Sequence, residues 1–255
     1  MTSLSNPLRD RLVDRAAPVQ FALFLQLSDP MVAEICAGAG FEVIVIDTEH
    51  GPSGVTEVIT QLQAVAAGGA DAAVRVTDHD PGRIKRVLDA GATTIIAPMI
   101  DTAENARRVV AATRYPPAGV RGAASARAAR WGRVADYHAT ADAAICVIAM
   151  IESSHALANL EEICAVDGID VAFVGPTDLA TSLGRPGAAT QPDVVEVVEA
   201  AIRRIAAADV VPAVFAGSPE LADRYVAAGA RLVAAGVDSR VLALGTDALR
   251  QSLGD

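Results

Sequence analysis

Hydrophobic residues in this chain come in short, unalternated runs. Each run is closed by polar or glycine residues and followed by a segment with helical spacing. The sharpest is Val43, Ile44, Val45 and Ile46, which stops at Asp47, Glu49 and His50 before Gly51-Pro52 turns the chain. A strand apolar on both faces belongs in a sheet covered on both sides, as parallel strands are. The pattern predicts strands at 19–25, 43–47, 72–76, 93–98, 145–151, 169–175, 211–215 and 231–235. Helices are expected at 30–39, through 61–67, at 82–90, 103–114, 156–163, 192–208, 219–228 and around 241–253. A short amphipathic helix over 7–15 precedes the first strand, and 115–144 reads as a long irregular connection.

Eight strands alternating with helices over about 250 residues is the count of a closed (β/α)8 barrel of the TIM type, in the α/β class. A doubly wound open sheet is the competitor. No GxGxxG turn follows the first strand, nothing divides the chain into halves, and no long-period repeat or linker is visible. The expectation is a single barrel domain over 1–255, with 1–17 as a helical N-terminal extension.

Composition narrows the chemistry. A hydrophobic fraction of 52% suffices for a large core, yet no run approaches the roughly 18 apolar residues of a membrane helix. The first twenty residues are too charged for a secretory signal. A net charge of −10, without a basic stripe, argues against nucleic acid. Cys36, Cys146 and Cys164 have no CxxC spacing and read as buried thiols of a reducing, cytoplasmic compartment. Lys85 is the sole lysine against twenty arginines, and it falls in a helical pattern rather than at a strand end. A solvated helical amine is a poor Schiff-base nucleophile, so any carbonyl chemistry here needs another electron sink.

In a barrel every strand-to-helix junction faces one rim, where residues distant in sequence converge. The junctions supply Asp47, Glu49 and His50 after strand two, Arg75 on strand three and Pro98-Met99 after strand four. Glu152 ends strand five, strand six runs into Gly175-Pro176-Thr177-Asp178, and strand eight leads to Asp238. Glu152 and Asp178, from adjacent strands, either hold a hard divalent ion that keeps several waters or are ordinary surface carboxylates. A zinc site is not supported, because His50, His79, His138 and His155 lack ligand spacing. Arg75 interrupts an apolar strand, so it either pairs a carboxylate such as Asp47, receives an anionic substrate, or does both. His79 and His155 read as turn and helix-start residues. Arg121, Arg127, Arg130 and Arg133 reach either the rim or a subunit contact, and Trp131 is expected to pack.

The motifs DTEHGP, LDAGATTIIAPM, TRYPPAGVRG, MIE and GIDVAFVGPTDLATSLGRPG, in that order between Gln20 and Val237, resemble the HpcH/HpaI aldolases. These are metal-dependent pyruvate aldolases, including the 4-hydroxy-2-oxoheptanedioate and 2-keto-3-deoxy sugar-acid types. The resemblance implies reversible retro-aldol cleavage of a 4-hydroxy-2-oxo acid to pyruvate, or hydroxypyruvate, and an aldehyde. It implies a barrel assembled as a trimer or hexamer with the last helix exchanged between subunits. It casts Glu152 and Asp178 as ligands of Mg²⁺, Mn²⁺ or Co²⁺, with no nucleotide cofactor and no Schiff-base lysine. The loop from Gly175 through Pro176 and Thr177 would receive the substrate carboxylate, and Arg75 would hold the keto oxygen as it becomes an enolate. His50 would be the acid/base, with Asp89 as its partner carboxylate and Asp47 and Glu49 in support.

Asp89 falls at the end of a helix that runs away from the rim. The pairing with His50 therefore requires a neighbouring subunit; the alternative is a local pair. The chain departs from the family pattern at Met150, where a glutamine is usual, and at Phe24, Thr177 and Phe215 on the aldehyde side. Those changes put the aldehyde in question and suit an apolar or aromatic acceptor. Rival readings on the same barrel are a citrate-lyase-β-like lyase, an oxaloacetate decarboxylase and a non-catalytic metabolite-binding barrel.

Overall fold

The computed structural model describes residues 4–124 and 126–254. Eight parallel strands close into one barrel in sequence order: β1 (Gln20–Leu25), β2 (Val43–Asp47), β3 (Asp71–Arg75), β4 (Thr94–Ala97), β5 (Cys146–Ile151), β6 (Val171–Val174), β7 (Val211–Phe215) and β8 (Leu232–Val237). The ring is sealed by β8 against β1, with a register shift between Ala22 and Leu23. This is the α/β barrel that the spacing of apolar runs predicts.

Strand periodicity divides the core in two. Val43 and Val45, Ile148 and Met150, Val171 and Phe173, and Ala22 and Phe24 pack together inside the barrel. The residues between them, such as Ile44, Ile46, Ala149 and Val174, join the layer between barrel and helices. Both faces are apolar because both are buried, and that produces the unalternated runs. Carrying the inward series one step past the apolar residues reaches Gln26, Asp47, Arg75, Glu152 and Gly175.

The helices are α1 (Pro7–Val13), α2 (Pro30–Ala37), α3 (Val55–Gly68), α4 (Pro81–Asp89), α5 (Ala103–Thr113), α6 (Tyr137–Ala144), α7 (Ser154–Ala158), α8 (Leu160–Cys164), α9 (Pro176–Ser182), α10 (Pro192–Ala207), α11 (Pro219–Ala228) and α12 (Asp238–Ser252). Proline opens α1, α2, α4, α9, α10 and α11, where its fixed φ and missing N–H cost nothing. Asp29, Asp80, Thr102, Ser153 and Ser218 cap their helices with side-chain acceptors.

The N-terminal end of the barrel is plugged. Leu8 and Leu12 of α1 join the interior packing, while the Asn6 amide donates to Thr93 O, Thr94 Oγ1 and Ala144 O at 3.0–3.1 Å. Arg9 pairs with Asp170 at 2.8 Å and Arg11 with Asp71 at 2.6 Å. At the other end of the chain α12 touches β1 and β8, and it leaves Val241, Leu242, Leu244, Leu249 and Leu253 exposed. No helix among the described residues is long and apolar enough to cross a membrane.

Three local features differ from the sequence reading. The stretch 115–144 contains a 3-10 turn at Arg127–Ala129 and helix α6, and the loop after β6 contains α9. Each is under nine residues and, unlike the equally short α1 and α2, starts without a side-chain cap. The helix expected at 156–163 is two, α7 and α8, divided at Asn159, whose side-chain amide donates to Asp101 O at 2.8 Å. Trp131 does not pack: it is 66% exposed, with the Arg133 guanidinium 6.0 Å from its ring.

Candidate active site

The rim is built outward from Asp47, the last residue of β2 and fully buried. Its carboxylate takes a fork from Arg75, Nε to Oδ1 at 2.9 Å and Nη2 to Oδ2 at 2.7 Å. Gln26 Nε2 donates to Oδ2 at 3.0 Å, and the backbone N–H groups of Glu49 and His50 donate to Oδ1 at 3.1 and 3.3 Å. Those last two bonds fold the turn after β2. A side chain at Gly51 would put its Cβ 2.4 Å from Asp47 O, so the turn closes only on glycine. Burial alone would raise the Asp47 carboxyl pKa, but the hydrogen bonds and charge of Arg75 outweigh it and hold the group ionised.

Arg75 is equally enclosed, and its Nη1 lies 2.9 Å from Glu49 Oε2. That contact is an ion pair without hydrogen-bond alignment, because Glu49 Oε2 is buried and has no hydrogen-bond partner. The guanidinium sits 5.1 Å from the centroid of the Phe24 ring. Burial works against the cation here too, and Asp47 and Glu49 more than offset it, so Arg75 stays charged.

Glu152, directly beyond β5, is 2% exposed, and its Oε1 accepts from the Met99 N–H at 2.6 Å. Desolvation, followed by repulsion from Glu49 and Asp178, pushes its pKa up to about 7, against the opposing pull of the Met99 N–H and Arg75. Burial likewise raises Glu49, again with Asp178 among its repelling neighbours. Asp178 is an exposed residue in the first turn of α9. Between the two candidate ligands runs Gly175, where a Cβ would lie 2.8 Å from Glu152 Oε2; only glycine lets the chain pass the carboxylate.

These groups line one cavity of about 300 Å³ at the mouth of the barrel. Arg75, Glu152, Asp178, His50 and Gln26 form its polar side, and Phe24, Phe173, Phe215, Met150 and Val237 its apolar side. Phe24 meets Phe173 and Phe215 edge-to-face at 6.2 and 6.1 Å. Larger grooves of about 510 and 600 Å³ lie at the opposite end of the barrel, but neither gathers carboxylates around a buried arginine. The first-turn N–H groups of Thr177 and Asp178 precede the first helical bond of α9, from Leu179 N to Gly175 O at 3.0 Å.

Most of the residues singled out from sequence therefore converge. Phe24, His50, Arg75, Glu152, Gly175, Pro176, Thr177, Asp178 and Phe215 share the cavity, with Asp47 and Glu49 buttressing Arg75. His50 Nε2 stands 3.8 Å from Glu49 Oε2, and its side chain is 58% exposed. Asp89 is not brought to His50 within the chain. It ends α4, which descends from the rim, and its Oδ1 accepts from Arg121 Nη2 at 3.0 Å. Lys85 also lies on α4, beside Gly122 and outside the cavity. Gln26 was not anticipated, although the inward series Ala22, Phe24, Gln26 points to it. Asp238 joins β8 to β1 by accepting from the N–H groups of Gln26 and Leu27 at 2.8 and 3.1 Å.

A hard cation fits the donor set at the rim. Three carboxylates repel one another there and one is driven toward neutrality, while the single lining guanidinium is already engaged by Asp47 and by Glu49, whose buried Oε2 has no hydrogen bond beyond that ion pair. Among the described residues no group of three or more His, Cys, Asp or Glu side chains is placed to hold a metal ion. Glu152 and Asp178 are the two carboxylates that line the cavity, and a hard cation that keeps its own waters takes no more than one or two.

Comparison with known proteins identifies the family and the fold. The profile of the HpcH/HpaI aldolase/citrate lyase family matches residues 20–244. A 4-hydroxy-2-oxo-heptane-1,7-dioate aldolase of Salmonella dublin is 45% identical over 253 residues, spanning 98% of this chain and 95% of its own. The crystal structure of an HpcH/HpaI aldolase/citrate lyase family protein from Burkholderia cenocepacia J2315 superposes with a TM-score of 0.93 at 38% identity, covering 98% of this chain and all of the other. The citrate synthase SbnG superposes with a TM-score of 0.84 at 27% identity, over 99% of this chain and the whole of its own.

Proposed function

The chain belongs to the HpcH/HpaI aldolase/citrate lyase family and is a carbon–carbon lyase of the aldolase kind, and we propose that its rim cavity reversibly cleaves a 4-hydroxy-2-oxo acid to pyruvate, or hydroxypyruvate, and an aldehyde. The observation that carries this reading is the placement of buried Arg75 and buried Glu152, with Asp178, in one cavity. A divalent ion, Mg²⁺, Mn²⁺ or Co²⁺, held by Glu152 and Asp178 supplies a Lewis acid at the 2-keto oxygen when bound.

The protein's own groups supply the rest. The substrate carboxylate lies against the free N–H groups of Thr177 and Asp178 at the start of α9. Arg75 directs its remaining N–H groups at the 2-keto oxygen. Its orientation is set beforehand by the Asp47 fork, so little reorganisation accompanies charge development. His50 takes the proton of the 4-hydroxyl. The C3–C4 electrons then move onto the keto oxygen, leaving the enolate of pyruvate and a free aldehyde, and protonation at C3 completes the cycle. The aldehyde half lies against Phe24 and Phe215, a wall that suits an apolar or aromatic chain better than a second carboxylate. Asp89 serves His50 from the neighbouring subunit of a trimer or hexamer, a pairing that measurement of the interatomic distance in the assembled protein decides. All three cysteines are free, Cys146 and Cys164 buried and Cys36, against expectation, only partly so, which suits a reducing cytoplasmic setting.

The test is pyruvate release from a 4-hydroxy-2-oxo acid. EDTA abolishes it, Mg²⁺, Mn²⁺ or Co²⁺ restores it, and borohydride leaves it untouched. Turnover that survives chelation, or a borohydride-trapped adduct, would overturn the proposal.

A further inference from the structure

His79, in the β3–α4 connection, is outside the cavity lining, yet one peptide links it to Glu152. Its Nε2 lies 2.6 Å from Pro98 O. A carbonyl oxygen only accepts, so Nε2 carries the proton and donates it. The other polar atom of the same peptide unit, the Met99 N–H, donates to Glu152 Oε1 at 2.6 Å. Met99 is held at φ 49°, a left-handed conformation that a methionine adopts only when its surroundings impose it. The segment is clamped further on as well: Ile100 N donates to Met150 O at 3.1 Å, and Asn159 holds Asp101 O at 2.8 Å. The free choice left at this corner is the tilt of the Pro98–Met99 peptide plane, and His79 and Glu152 grip it from its two ends.

We propose that His79 is a positioning residue for Glu152: by holding Pro98 O it fixes the Pro98–Met99 peptide, whose N–H orients the Glu152 carboxylate and leaves Oε2 directed past Gly175 toward the ion site. The peptide group also conducts polarisation, since a donor at its oxygen strengthens its N–H as a donor. Outer hydrogen-bond partners of this kind govern metal affinity through ligand orientation, typically by 10–100-fold. The inference rests on the assignment of Glu152 as a metal ligand.

The experiment titrates metal-free protein with Mn²⁺ in the absence of substrate, reading free Mn²⁺ by electron paramagnetic resonance. The His79→Leu variant is expected to bind Mn²⁺ roughly 10-fold more weakly than wild type. His79→Gln, which keeps a donor for Pro98 O, is expected to restore affinity to within about 3-fold. Should the leucine variant not fold, His79→Ala takes its place in the same comparison. Unchanged Mn²⁺ affinity in the leucine or alanine variant overturns the proposal, and so does equal weakening in the glutamine variant. Failure of wild-type protein to bind Mn²⁺ is a separate outcome that removes the metal-site assignment, and this inference with it.

Discussion

The two ends of the barrel use the same kinds of residue for opposite ends. At the N-terminal end Arg9 pairs with Asp170 and Arg11 with Asp71, and the Asn6 amide donates to the backbone. At the rim Glu152 sits near neutrality beside Glu49 and Asp178, and Glu49 Oε2 has no hydrogen bond. The ion pairs at the N-terminal end are complete within the fold. A side chain kept for chemistry leaves a valence for something absent from the chain. Burial does not separate Asn6 from Glu152, since both are nearly inaccessible; the crowding of like charges around Glu152 does.

Mutations at the two ends should therefore fail differently. Arg75→Ala carries the largest expected effect: kcat falls about 10²–10³-fold with loss of the donor to the keto oxygen. Stability also falls by about 3–5 kcal/mol, because buried Asp47 loses its counter-charge. Steady-state kinetics and urea melts read the two losses separately, and Arg75→Lys is expected to recover stability more fully than turnover. His50→Gln is expected to slow aldol cleavage about 10²-fold while largely sparing oxaloacetate decarboxylation, which needs no base at a 4-hydroxyl. Equal losses in both reactions would remove the role given to this histidine.

Glu152 makes a pH prediction. Its carboxyl sits at about 7 in the fold against an ordinary 4.5. Between those values the native state holds a proton that the unfolded chain has released. Metal-free protein should thus lose stability as pH rises through that window, by on the order of 3 kcal/mol. Urea melts in EDTA at about pH 5 and about pH 8 measure this slope, and Glu152→Gln should flatten it. A slope of the opposite sign would contradict the burial of an unpaired carboxyl. The smallest effect is expected at the plugged end. Asn6→Ala should cost about 2 kcal/mol through the lost cap and the Ala144 carbonyl left without its donor, Thr93 O keeping the Cys146 N–H, with kcat unchanged. A fall in kcat there would erase the distinction between the two ends.

Much of this arrangement is legible without coordinates. The runs at 43–47 and 211–215 and the helix at 219–228 coincide with β2, β7 and α11, because a strand covered on both faces and a helix capped by Ser218 and Gly229 each write their limits in local chemistry. Arg75 and Glu152 stand out because they extend inward-facing apolar series. Helices α6 and α9 left no comparable mark, being short and without a side-chain cap at the start. Trp131 was misjudged because aromatic character alone does not say which side of a loop is covered. Gln26 lies on an inward series as Arg75 does, but its bond to Asp47, and that of His79 to Pro98 O, join segments whose approach no spacing encodes.

By itself the sequence determined the alternation of strands and helices, the barrel count, the family and the set of ionisable groups at strand ends. These follow from local periodicity, from turn chemistry and from motifs read in order. Only the tertiary structure decided that Arg75 is forked to Asp47 and shared with Glu49, that Glu152 is driven toward neutrality, that Asp89 answers to Arg121 within the chain, and that one peptide joins His79 to Glu152. Those outcomes depend on distances and on exclusion of water between segments far apart along the chain, quantities that exist only once the barrel has closed.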